Sequence, residues 1–225
     1  MNIPAEFDEI RPYAPEELPQ VFEELIADPM FKAVVGQVMP GIPFDMIAAQ
    51  MRQCKTNLDF QKAFFYKLLK DLVQKCAKGL DFDCSAIKDK SINYTFISNH
   101  RDIVLDSALL SVVLIENGMN TVEIAIGDNL LIYPWIKKIV RINKSFIVKR
   151  GLGLREQLKS SMLMSSYMHY AISQKHENIW IAQRQGRAKD SNDRTQDSIL
   201  KMMVVGGEGD IFDRLKEMNL VPLSL

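Results

Sequence analysis

Apolar positions along the chain keep two rhythms, and the change between them falls near residue 90. Before it the rhythm is helical. Pro12, Pro15 and Pro19 punctuate the start, after which Val21, Phe22, Leu25 and Ile26 predict a short amphipathic helix. Pro29, Pro40 and Pro43 break the next segments into short pieces, and Asp45 to Cys54 can form another helix. The clearest helix runs from Asn57 to Lys78, where Phe60, Phe64, Leu68, Leu72 and Cys76 recur at four-residue steps. Phe65, Leu69 and Val73 widen that stripe, and Lys62, Lys67, Lys70 and Lys75 occupy other positions. Such a helix buries one face. The commoner partner is the core of the protein; the alternative is an acyl chain or a membrane. Gly79 to Lys90 has alternating charge and no period, as a linker does.

From Ser91 onward short β-rich runs alternate with helical ones. Tyr94 to Ile97, Thr121 to Ile126, Ser145 to Val148 and Ile179 to Ala182 read as strands, and Val221 to Leu225 as the start of another. Between them lie a helix from Asp106, one over Asn129 to Ile142 interrupted by Pro134, and a long one from Leu154 to about Gln174. Alternation of this kind predicts an α/β fold with a mainly parallel central sheet flanked by helices, here with an N-terminal helical segment. The expected organisation is residues 1–90 as helical segment and linker, and 91–225 as the α/β domain. A chain that stops within a strand is expected to be truncated at its C-terminal end.

Composition narrows the partners. The chain has 225 residues, 47% hydrophobic and 25% charged, with 28 basic and 28 acidic side chains. A balanced charge gives no bulk attraction to nucleic acid, so any anion site is local. Cys54, Cys76 and Cys84 lack metal-ligand spacing, and an odd count fits a reduced, cytoplasmic setting. No metal is expected. The longest apolar run, Ala108 to Ile115, is too short to span a bilayer, which leaves peripheral contact as the membrane option.

Chemistry is concentrated where the first strand hands over to a helix, at Ser98-Asn99-His100-Arg101-Asp102 and then Asp106. Ligands of open α/β sheets bind outside the carboxyl ends of strands. Imidazole titrates nearest neutrality, and a carboxylate in reach can set its tautomer. No Gly-x-Ser-x-Gly motif supplies a nucleophile, so the proton would come from a substrate hydroxyl. Alone, a His beside two Asp at a helix start also fits a capping cluster.

Asn99-His100-Arg101, followed by Asp106 and Ala108-Leu109-Leu110, resembles the first block of the glycerolipid acyltransferase family, which includes the lysophosphatidic acid and glycerol-3-phosphate acyltransferases. That family leaves four residues between His and Asp; here there are five, Arg101 to Leu105. The partner of His100 is therefore Asp106 across a looser turn, or Asp102 in its place. Asp106 is favoured because the helix opens at it. Lys144 to Arg150, with Phe146-Ile147 ahead of Arg150, resembles the second block. Gln183-Arg184-Gln185-Gly186-Arg187 resembles the third, usually Glu-Gly-Thr-Arg-Ser, with Gln185 at the place of the Glu. Gly127 to Leu130 stands where relatives carry a Lys-Glu-Leu-like segment, and Val221-Pro222 resembles a fourth block.

The resemblance implies transfer of a fatty acyl group from acyl-CoA or acyl carrier protein to a hydroxyl of a glycerol-phosphate or lysophospholipid acceptor, with no cofactor beyond the thioester. It makes His100 the base and Asp106 its orienting partner. Asn99, Phe146, Arg150, Arg184, Gln185, Gly186 and Arg187 would bind substrate, the Arg forks matching a phosphate. The expected setting is the cytoplasm, at the inner face of the membrane. A catalytically impaired lipid- or acyl-carrier-binding module of the same fold is the alternative, because Gln185 lacks the charge of the family's Glu. His169 and His176 lie in and after the Met-rich helix and are expected to be structural.

Overall fold

Proline positions start the first helices rather than only interrupting them. The computed structural model describes residues 3–190 and 192–224. Pro15 opens a tight turn that runs into α1 (Leu18–Ile26). Pro29 is the first residue of α2 (Pro29–Val38), where its missing N–H costs nothing, and Asp28 caps the amides of Met30 and Phe31 at 2.8 and 3.0 Å. So the stretch expected to fall into pieces after Pro29 holds a full helix. α3 (Phe44–Gln53) follows, and then a reciprocal cap between Thr56 and Asp59 opens α4 (Asn57–Phe60).

α4 continues through a π-helical turn, Gln61–Tyr66, into α5 (Lys67–Cys76). A wider turn of this kind displaces the buried face by about one residue. The four-residue stripe therefore does not persist. Phe60 is buried, but the next fully covered apolar residue is Leu69, while Leu68 and Leu72 stand 42% exposed. Phe22, Phe31, Met51 and Phe60 form one core with Ile142. The N-terminal helices thus pack on the α/β unit itself, although its residues begin beyond position 90.

The remaining elements are β1 (Thr95–Ser98), α6 (Leu105–Glu116), β2 (Val122–Gly127), α7 (Pro134–Ile142), β3 (Ser145–Val148), α8 (Leu154–Ser173), β4 (Asn178–Ala182), α9 (Asp197–Met203), α10 (Ile211–Glu217) and β5 (Leu220–Leu223). Pro134 begins α7 instead of interrupting a longer helix. The five strands form one parallel sheet in the order β3-β2-β4-β1-β5. This is an α/β fold with a central parallel sheet flanked by helices. Pro222 is tolerated in β5 because that strand is an edge.

Side chains alternate between the faces of each strand. Trp180, Phe96, Val122 and Ile124 meet Leu110 and Leu114 of α6 on one face. Ile179 and Ile181 meet Met164, Tyr167, Met168 and Met203 of α8 and α9 on the other. One charge breaks this apolar layer. Glu123 is fully buried, accepts a 2.5 Å hydrogen bond from the Tyr167 hydroxyl and is paired with Lys175. Burial, more than the nearby charge, pushes the Tyr167 phenol well above its ordinary range.

Candidate functional site

Every strand of a parallel sheet ends on the same edge, so the residues after β1, β2, β3 and β4 are brought together. His100 follows β1 by two residues and is fixed from both sides of its backbone. Its amide donates to Asp193 Oδ2 at 2.9 Å, and its carbonyl accepts from the Ala188 amide at 2.7 Å. Both partners come from the segment after β4. The ring lies edge-on to Trp180, with centroids 6.1 Å apart.

The two Asp near His100 have separate tasks. Asp106, in the first turn of α6 and 3% exposed, places Oδ2 3.0 Å from His100 Nδ1. The same carboxylate accepts the amides of Arg101 and Asp102 at 2.9 and 3.1 Å. Asp102 instead caps the helix start, its Oδ1 accepting the amides of Val104 and Leu105, both at 2.8 Å. Those two bonds, Leu105's first, hold the Asp102 carboxyl below the usual carboxylate range. The fifth intervening residue is absorbed in this capped turn. Two backbone amides donate to the Asp106 carboxyl, and with Nδ1 donating to it as well, Nε2 is left as an acceptor facing the cavity.

Between the strand ends and α8 and α9 lies a cavity of about 680 Å³. His100, Arg150, Arg184, Gln185, Gly186 and Arg187 line it. Arg150 reaches in past Gly127, where a Cβ would come within 2.5 Å of Asn129 Oδ1 and 3.5 Å of Arg150 Nε. Its amide is held by Asp128 Oδ1 at 3.0 Å, and burial of the guanidinium lowers its pKa against the opposing charge of Asp128. Arg184 is more occupied. Its Nη1 donates to the Asn192 carbonyl at 3.2 Å and lies 3.9 Å from Asp193 Oδ1. Arg187 is exposed. Gly186 takes a φ of +74°, a backbone position that suits glycine and lets the chain turn at the rim.

Three of the residues singled out from sequence sit apart from the cavity wall. Asp106 lies behind His100. Asn99 is half-buried beside it and does not line the space. Phe146 is fully buried, with its ring against Tyr167 at 5.4 Å between centroids. It is a core residue, because it shares a strand face with the cavity-lining Val148 but lies two positions deeper, packed on α8.

Other residues build the site without having been legible as such. Asp193 sits in a polar stretch without period. Gln157, Ser160, Ser161 and Met164 line the cavity at the spacing of one helix face. That polar stripe inside α8 is a signal the sequence does carry. Ile199 and Met202 of α9 line the cavity together with Ala125 and Ile181 of the sheet. His169 is buried, pairs with Glu217 and places Nε2 3.0 Å from the Met203 carbonyl, so it supports the α8–α9 contact.

Among the described residues no group of His, Cys, Asp and Glu side chains is arranged to hold a metal ion. Nor is any described helix long and apolar enough to cross a membrane. Compared with known proteins, the chain matches no family model and no curated protein.

Proposed function

We propose that the chain is an acyltransferase of the glycerolipid type, moving a fatty acyl group from acyl-CoA or acyl carrier protein to a hydroxyl of a glycerol-phosphate or lysophospholipid acceptor. One observation carries this reading. His100 Nδ1 is 3.0 Å from the buried Asp106 carboxylate while the ring lines a cavity that Arg150, Arg187, Met164 and Ile199 also line. Nε2 then takes the acceptor's hydroxyl proton as the oxygen attacks the thioester carbonyl. The tetrahedral intermediate collapses by breaking the C–S bond, and the imidazolium returns its proton to the departing thiolate. A base so placed contributes roughly 10²–10⁴-fold. Arg150 and Arg187 provide donors for the acceptor's phosphate, and the space beside Met164, Ile199 and Met202 suits hydrocarbon.

The motif order of the glycerolipid acyltransferases, from Asn99-His100 to Val221-Pro222, supports the same assignment. Work at the cytoplasmic face of a membrane, by peripheral contact, follows from a lipid acceptor. The test is release of free thiol by the purified chain, with acyl-CoA or acyl carrier protein as donor and a set of phosphate-bearing acceptors. Acceptor-dependent thiol release that His100→Ala abolishes is the expected result. Tight thioester binding with no release under any acceptor would replace the enzyme by a carrier-binding module.

A further inference from the structure

The first half of α8 turns its polar residues to the cavity and its apolar ones to water, the reverse of an ordinary surface helix. Gln157, Ser160 and Ser161 face the cavity, while Leu154, Leu158 and Met162 point to solvent at 90%, 59% and 49% exposure. Spaced four apart, those three lie within about 80° of one another on the helix. Arg155 and Lys159, both exposed, fall next to them on the side away from the cavity. The stripe has counterparts at the same edge of the sheet. Ile132, 71% exposed, follows β2, and Val104, 57% exposed, follows β1 beside cavity-lining Ile103. Solvent-exposed apolar side chains thus gather where three parallel strands end and the cavity opens.

We propose that this rim is a docking surface for an anionic lipid bilayer, with the N-terminal half of α8 lying in the headgroup layer. The charge pattern selects that occupant. An apolar stripe bordered by Arg and Lys is the arrangement of a helix resting on an anionic interface, where the leucines leave water and each cation meets lipid charge. Docked this way, the cavity mouth faces the layer that holds lipid acceptors. The inference deepens the acyltransferase reading but is measured without turnover.

The test is co-sedimentation of the full chain with vesicles. The protein binds vesicles of phosphatidylcholine with phosphatidylglycerol, binds phosphatidylcholine alone much more weakly, and is released by salt. Leu154→Ser with Leu158→Ser weakens partitioning by roughly tenfold per leucine. Arg155→Gln with Lys159→Gln weakens it by about fivefold per charge and removes most of the preference for anionic lipid. Both double variants keep thiol release with a short-chain, monomeric acceptor, since none of the four side chains lines the cavity. Absence of vesicle binding by the unmodified chain would overturn the docking surface, as would equal binding by both double variants. Self-association that the leucine pair abolishes would do so too, because a second copy would then cover the stripe. Loss of vesicle binding with intact transfer, or the reverse, separates a failure of the surface from a failure of the acyltransferase assignment.

Discussion

His100 Nδ1 and Asp106 Oδ2 are 3.0 Å apart across a turn that Asp102 builds by capping Val104 and Leu105. The longer spacing is therefore compatible with a dyad, because the additional residue lies in a capped loop rather than between the reacting groups. Replacing His100 with Ala should lower transfer by roughly 10²–10⁴-fold and leave the circular dichroism spectrum unchanged. The backbone bonds to Asp193 and Ala188 do not depend on the ring. Turnover within a few fold of the unmodified chain would end the mechanism.

The two Asp are separable by experiment. Asp106→Asn removes the charge that fixes the tautomer and weakens two amide bonds at a buried position, so it should cost transfer and about 1–3 kcal/mol of stability. Asp102→Asn should keep most transfer, since Asn caps about as well as Asp. Kinetics and urea denaturation of the pair decide this. Equal losses of kcat would mean that Asp102 acts on His100 as well.

Acid should act on Asp102. Its folded carboxyl is held below the ordinary range by the Leu105 and Val104 amides, so the unfolded chain binds the proton more readily. The resulting stability is complete above the unfolded pKa and is lost as pH falls through the folded one. The amide of Asp102→Asn caps without titrating, so the stability difference between the two proteins should narrow on acidification below the usual carboxylate pKa. A difference that stays constant down to the acid transition would mean that the cap is not ionised.

Among the cavity's Arg residues, Arg150 should matter most to an anionic acceptor. Its guanidinium is half-buried and faces the cavity, whereas Arg184 is engaged by Asn192 and lies near Asp193. Arg150→Ala is expected to raise the acceptor's KM roughly ten- to a hundredfold with little change for the thioester, one charged hydrogen bond contributing ~1.5–3 kcal/mol. Arg184→Ala should instead disturb the loop and affect both substrates alike. Steady-state kinetics with each substrate varied in turn measures the split.

The charge under the sheet gives a prediction about stability alone. Lys175→Met leaves Glu123 buried with only the Tyr167 hydroxyl, and should cost about 3–5 kcal/mol in urea unfolding. A loss under ~1 kcal/mol would show that the Lys175 pair is not what makes Glu123 tolerable at this buried position.

Much of the α/β unit was legible because its strands are short apolar runs of high β-propensity, and Ser145–Val148 forms β3 with the expected bounds. The His100–Asp106 pair was legible as chemistry, though choosing between two Asp needed the turn at Asp102. The helix over residues 57–76 was legible as an element but not as a face, since nothing in Gln61 to Tyr66 announces a π turn to a four-residue periodicity. Phe146 lies in the core beneath the cavity-lining Val148, because pattern shows which residues share a strand face and not how far along it the opening begins. Asp193 could not be found at all. Its contact with the His100 amide spans most of a hundred residues and belongs to a loop without periodicity.

The strand order has a kinetic corollary. β1 and β2 are successive in the chain yet share no ladder; each pairs with β4, which is inserted between them. The middle of the sheet cannot be zipped up from neighbouring segments and must wait for Asn178–Ala182, so its closure is a long-range event of the kind that slows folding. His100 shares that delay. The groups that clamp its amide and carbonyl, Asp193 and Ala188, emerge from a ribosome after β4 does. Proton-transfer geometry is consequently among the last features the nascent polypeptide acquires, and an incomplete chain would carry a histidine with no fixed place.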